Sequence, residues 1–139
     1  MARSKRRRGF TLIELLLVMV ILTILAAVVV PKFTKRSEQA RVTAALADIS
    51  AIEVALDAFE VDTGRYPTTD EGLAALVQAP PLLSSWKGPY LKRSKVPVDP
   101  WGNPYVYRCP GEHNTESYDL FSCGADGQEG GGDDIDNWS

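Results

Sequence analysis

The stretch Lys5–Pro31 reads KRRRGFTLIELLLVMVILTILAAVVVP. Lys5, Arg6, Arg7 and Arg8 precede Gly9, and the apolar run from Leu15 to Val30 is broken only by Thr23. Phe10 to Val30 is 21 residues, about 30 Å as an α-helix, which matches a bilayer's hydrocarbon core. One acid, Glu14, stands inside that span. A carboxylate so near hydrocarbon costs about 2.5–3.5 kcal/mol on insertion scales and calls for a partner. An ordinary secretory signal has a shorter apolar core and then an Ala-x-Ala-like cleavage site. Here Ala26 and Ala27 are small, but no polar cleavage region follows them.

The flanks set a topology. The chain has 15 Lys and Arg against 18 Asp and Glu, a net of −3. Arg3, Lys5, Arg6, Arg7 and Arg8 lie in residues 1–9; without them 10 cations face 18 acids, a net of −8. Positive charge stays cytoplasmic, so the acidic remainder is expected beyond the membrane. Little that is basic remains there to hold nucleic acid.

Beyond Pro31, which is expected to bend the helix, apolar residues recur at steps of three and four: Val42, Ala45, Leu46, Ile49, Ile52, Leu56 and Phe59. That is the core stripe of an amphipathic helix. Glu38, Arg41, Asp48, Glu53, Asp57 and Glu60 fall opposite and read as a solvated face. Gly64 and Pro67 supply the stop. The expected organisation is residues 1–9 as a basic leader, 10–30 as the apolar helix half, 31–62 as the amphipathic half, and 63–139 as a small α+β domain. Thr68 and Glu71 have capping-box spacing before a short helix near 70–78. Prolines and glycines then allow only short strands. Pro104–Cys109 reads as one strand, with Tyr105 and Tyr107 on one face, and Ser117–Cys123 as its return.

No enzyme is expected. The lone His113 sits in a predicted turn, and Ser84 and Ser85 have no nucleophile-elbow setting. Trp86, Trp101, Tyr90 and Tyr105 lie among prolines and read as packing. Cys109 and Cys123 have no CxxC or Cys/His spacing. A hairpin centred near His113 sets Cys109 opposite Ser117 and Cys123 opposite Asn103, too far apart to bond. Two cysteines in an oxidising compartment argue for a Cys109–Cys123 disulfide, and the pairing stays open.

The tail reads GADGQEGGGDDIDNWS from Gly124. Glycine and carboxylates in this mixture suit a hard cation such as Ca²⁺. They equally suit an acidic, disordered tail. The spacing is not that of an EF-hand.

The run Arg-Gly-Phe-Thr-Leu-Ile-Glu, Arg8–Glu14, resembles the class III signal of type IV pilins and pseudopilins. The resemblance implies cleavage between Gly9 and Phe10, N-methylation of Phe10, and an assembly role for Glu14. Further matches are Asp62-Thr63-Gly64-Arg65-Tyr66-Pro67, Glu71-Gly72-Leu73, Trp86-Lys87-Gly88-Pro89-Tyr90-Leu91, Asp99-Pro100-Trp101-Gly102-Asn103-Pro104-Tyr105 and Gly124-Ala125-Asp126-Gly127. In this order they are similar to the major pseudopilin family of the type II secretion system, from leader to C-terminus. The two cysteines depart from that pattern.

The resemblance implies a type IV pilin-like α+β fold: a long N-terminal helix packed on a small antiparallel sheet, with a C-terminal calcium loop. For that calcium it implies Asp126, Asp133 and Asp134 as carboxylate ligands and Cys123 through its backbone carbonyl. Gln128 and Gly131 stand as further carbonyl donors, with Asp136 a rival for one carboxylate role. It also implies a single-pass inner-membrane protein with a periplasmic domain, processed by a prepilin peptidase. Such a protein polymerises with itself, meets minor pseudopilins and an inner-membrane platform, and helps drive folded exoproteins across the outer membrane. The new amine at Phe10 would pair with Glu14 of a neighbour. The alternatives are the major pilin of a surface type IV pilus and a monomeric, signal-anchored binding module.

Overall fold

The computed structural model describes residues 8–139, and at 30–33 the backbone only. Residues 1–7, most of the expected leader, lie outside the described residues, as do the side chains at 30–33, where the bend at Pro31 was placed. The described chain divides into two compact units, one ending at Glu38 and one spanning Gln39–Ser139. Helix α1 runs Leu12–Thr63.

In the first unit every described side chain from Leu12 to Val29 is exposed. Leu, Ile, Val and Met project on all sides of this stretch. A helix apolar all round is built for lipid or for other helices. By length and composition α1 is long and apolar enough to cross a membrane.

In the second unit α1 has a clear inner face. Ala45, Ile49, Ile52, Ala55, Leu56 and Phe59 are all buried. They pack in one cluster with Leu73, Ala75, Leu76, Tyr105, Tyr107, Tyr118, Leu120 and Ile135. Leu46, expected on this stripe, is exposed; it stands about 100° round the helix from Ala45. The acidic residues are not simply solvated. The Tyr105 hydroxyl donates to Asp48 at 3.0 Å, Tyr66 to Asp57 at 3.2 Å, and Tyr90 to Asp62 at 3.0 Å. Asn137 donates to Glu53 at 3.3 Å. The phenol rings fill the core and their hydroxyls end on helix carboxylates, which holds the domain to the helix at fixed points.

Helix α1 ends at Gly64, whose φ of +80° a side chain would strain. The expected capping box closes: Thr68 N–H donates to Glu71 Oε2 at 2.9 Å, and Glu71 N–H to Thr68 Oγ1 at 3.2 Å. The helix after it is a single 3₁₀ turn, Leu73–Leu76, rather than 70–78. Gly72 lies between box and turn at φ +58°, ψ −165°, so an α-helix cannot grow out of the box.

Three strands follow: β1 (Val106–Arg108), β2 (Asp119–Ser122) and β3 (Ile135–Asp136). They form an antiparallel sheet in the order β1-β2-β3. Pro104, read as the start of a strand, makes only an isolated bridge with Val98, since its nitrogen cannot donate to a ladder. Arg108 pairs with Asp119, a register one residue away from the symmetric hairpin. The cause is Asp119. Its fully buried carboxylate accepts the N–H groups of Glu112, His113 and Asn114 at 2.8, 2.9 and 2.9 Å, and the connection wraps around it. The Cys109–Cys123 pairing, left open by the sequence, is not made; both thiols are free, as the hairpin geometry argues. Cys109 follows β1 at the Asp119 end of the pairing, while Cys123 follows β2 at its other end.

Candidate functional sites: the helix start and the acidic loop

The Gly9–Phe10 bond lies ahead of the helix. Phe10 is 84% exposed, and nothing approaches within 4 Å of a Cβ built on Gly9. Immediately after it the chain caps its own helix. Thr11 N–H donates to Glu14 Oε2 at 3.1 Å, and Glu14 N–H to Thr11 Oγ1 at 3.3 Å. This is a reciprocal capping box, which satisfies two of the amide donors that a helix N-terminus leaves free. A carboxylate there also meets the positive end of the helix dipole. Within the chain Thr11 thus gives Glu14 a hydrogen bond but no countercharge. The Thr-x-x-Glu spacing at Thr11–Glu14 is the local signal that could have marked this pair, and it went unread in the sequence.

The second site is the loop between β2 and β3. Each of its three expected aspartates holds one loop amide. Asp133 Oδ2 accepts Asp126 N–H at 3.1 Å, Asp126 Oδ1 accepts Gln128 N–H at 2.8 Å, and Asp134 Oδ2 accepts Gly130 N–H at 2.7 Å. The second oxygen of each carboxylate has a different setting. Asp134 Oδ1 is buried with no hydrogen-bond partner. Asp126 Oδ2 and Asp133 Oδ1 meet at Gly131: a Cβ there would run into the first and lie 2.9 Å from the second. Gly131 is thus placed where its lack of a side chain admits two carboxylate oxygens. Asp136 is engaged elsewhere, its Oδ1 accepting Trp138 N–H at 3.2 Å and Ser139 N–H at 2.8 Å. Cys123 leads into the loop directly after β2. Among the described residues, no three His, Cys, Asp or Glu side chains form a ready metal-holding group.

The donor set nonetheless suits a hard cation. It is all oxygen and carried on a glycine-rich turn, and it contains a buried carboxylate oxygen without a partner. The local field agrees. Burial pushes the Cys123 thiol pKa up, and the carboxylates of Asp134, Glu129, Asp99 and Asp126 push it further.

Two supports for this loop went unread in the sequence. Ser122, fully buried, donates to Asp99 Oδ2 at 2.6 Å and accepts Gly124 N–H at 3.1 Å. Asp99 in turn closes the 99–103 turn, accepting the N–H groups of Trp101 and Asn103 at 3.1 and 2.8 Å. Arg108 of β1 grips Glu129 through both nitrogens, each at 2.7 Å. Neither pair has a local spacing signal, since their members lie 23 and 21 residues apart.

A long N-terminal helix, apolar all round in its first part and bearing a small antiparallel sheet on its second, defines a type IV pilin-like protein. Residues 4–30 match the family model for the prokaryotic N-terminal methylation motif. Residues 32–138 match that for type II secretion system protein G. The chain is 52% identical to the type II secretion system core protein G of Pseudomonas aeruginosa over 98% of both chains. It is 47% identical to that of Escherichia coli K12, covering 99% of this chain and 95% of the other. A crystal structure of the major pseudopilin from the type 2 secretion system of enterohaemorrhagic Escherichia coli superposes with a TM-score of 0.66 at 38% identity, covering 79% of this chain and 96% of that one. The chain belongs to the type II secretion system protein G family.

Proposed function

We propose that this chain is a structural subunit that polymerises into the periplasmic pseudopilus of a type II secretion system and so helps move folded proteins across the outer membrane. The observation that carries the reading is the exposed apolar helix from Leu12 to Val29 with one acid at its start. Such a surface needs lipid or copies of itself. The family makes the secretion filament the favoured polymer over a surface pilus. In this reading the precursor sits in the inner membrane with residues 39–139 in the periplasm, and a prepilin peptidase cuts the exposed Gly9–Phe10 bond. The freed amine of Phe10 is methylated, and Glu14 of a neighbouring copy neutralises it in the filament core. Minor pseudopilins and an inner-membrane platform are the remaining partners. The subunit itself performs no catalysis.

The reading includes a structural calcium in the 123–134 loop. Asp126, Asp133 and Asp134 would hold it with the carbonyls of Cys123, Gln128 and Gly131. The ion would neutralise crowded carboxylates and fix the loop between β2 and β3. The experiment that tests assembly is Glu14→Ala. The variant should still be processed to a product starting with Phe10, and its filament yield should fall at least tenfold in shear fractions. A mature wild-type chain that begins elsewhere, or full yield from the variant, would overturn the reading.

A further inference from the structure

The middle of the acidic loop is tethered to the sheet through Glu129. Gly127 lies against Asn103, while Arg108 ties residues 125–132 to β1 through two hydrogen bonds to Glu129. They are bidentate, the geometry in which a guanidinium and a carboxylate fix each other's orientation as well as distance. Arg108 is itself seated. Its guanidinium lies 5.5 Å from the centroid of the Phe121 ring, and Phe121 is almost fully buried in β2. Glu129 lies between Gln128, whose N–H is held by Asp126, and Gly130, whose N–H is held by Asp134. The tether therefore acts between the amides held by Asp126 and by Asp134.

We propose that Arg108 is a positioning residue for the cation loop, a latch that holds Glu129 so that Asp126, Asp133 and Asp134 are gathered before calcium arrives; this rests on the calcium reading given above. Gly127, Gly130, Gly131 and Gly132 leave this stretch free to move. Ordering it only on binding subtracts from affinity, and ordering it beforehand returns that part. The latch also removes Glu129 from the set of available ligands, so a fourth carboxylate does not compete for the ion.

Charge alone makes a different prediction. Arg108 is a cation beside a cation site, so on Coulombic grounds its removal should tighten calcium binding, whereas removal of Glu129 should weaken it. A latch requires both losses to weaken binding. The test uses the full chain in detergent, with calcium affinity read by competition against a fluorescent chelator. Melting in excess chelator serves as the control for folding. Arg108→Gln and Glu129→Gln should each weaken calcium about three- to tenfold, toward the lower end of what metal-site supporting residues contribute, because this pair is partly exposed. The exchanged pair Arg108→Glu with Glu129→Arg should recover at least half of that loss, which a merely structural role for Arg108 in β1 would not produce. Tighter binding by Arg108→Gln, unchanged affinity in both single variants, or no recovery in the exchanged pair would overturn the latch. A wild-type chain that takes up no calcium would instead remove the calcium reading, and the latch with it.

Discussion

Glu71 closes the Thr68 capping box and also meets Arg65 through both oxygens, at 2.7 and 2.8 Å. The Arg65 guanidinium first, and then the Thr68 N–H, hold its carboxyl down to about 2 against the opposing effect of burial. A depressed carboxylate stabilises the fold above its unfolded value, 4.5, and that contribution disappears as pH falls through the folded value. Glu71→Gln should therefore cost about 1 kcal/mol at neutral pH, discounted for the partial exposure of Arg65. The difference from wild type should close between pH 4.5 and about 2. Urea titrations of residues 35–139 across that range check it, and a constant difference would contradict it. At this scale the Thr68–Glu71 capping box was legible, because Thr-x-x-Glu is a local signal; the same spacing at Thr11–Glu14 went unread because it lies inside the apolar span. Asp119 was not legible. A carboxylate that gathers three amides from residues 112–114 looks, in sequence, like any polar residue in a strand.

The elements divide in the same way. The stripe on α1 was readable since a period of 3.6 spans many residues. Its inner residues tolerate loss poorly: Phe59→Ala should cost about 3–5 kcal/mol, because the ring is wholly buried and packs edge-on against Tyr90 at 5.6 Å. Val54→Ala, on the exposed side of the same helix, should change stability by less than about 0.5 kcal/mol. Equal losses in urea midpoints would show that the face is misassigned. The first strand followed its alternation, with Tyr107 in β1 and Tyr105 just ahead of it both buried. Strand β2 did not alternate, because all four of its residues are buried. Strand β3 carried no pattern at all. Two residues, Ile135 and Asp136, among glycines and acids cannot express a period of two, so only the paired structure reveals it.

For the whole molecule, the leader, apolar helix and single acid pointed to the pilin-like class and the motifs from Asp62 to Gly127 to the family, while the acidic tail left two readings level. The resemblance tipped them toward calcium, and the Asp126 and Asp133 oxygens that meet at Gly131, with the unpartnered oxygen of Asp134, give that reading residues to test. Chelation should lower the melting temperature of residues 35–139. If the ion is present at about a hundred times its dissociation constant, binding adds about 2.7 kcal/mol, a shift on the order of 10 °C for a domain of this size. An unchanged melt in EGTA would remove the calcium claim.

The loop is strung between two neighbouring ribs of one sheet, and the outer rib comes from the last five residues of the chain. Loss of that rib therefore acts on the sheet's edge before it touches Asp126, Asp133 or Asp134. A protease cut just ahead of Ile135 would unfasten one shore of the bridge, and the span beyond would have nothing left to close against.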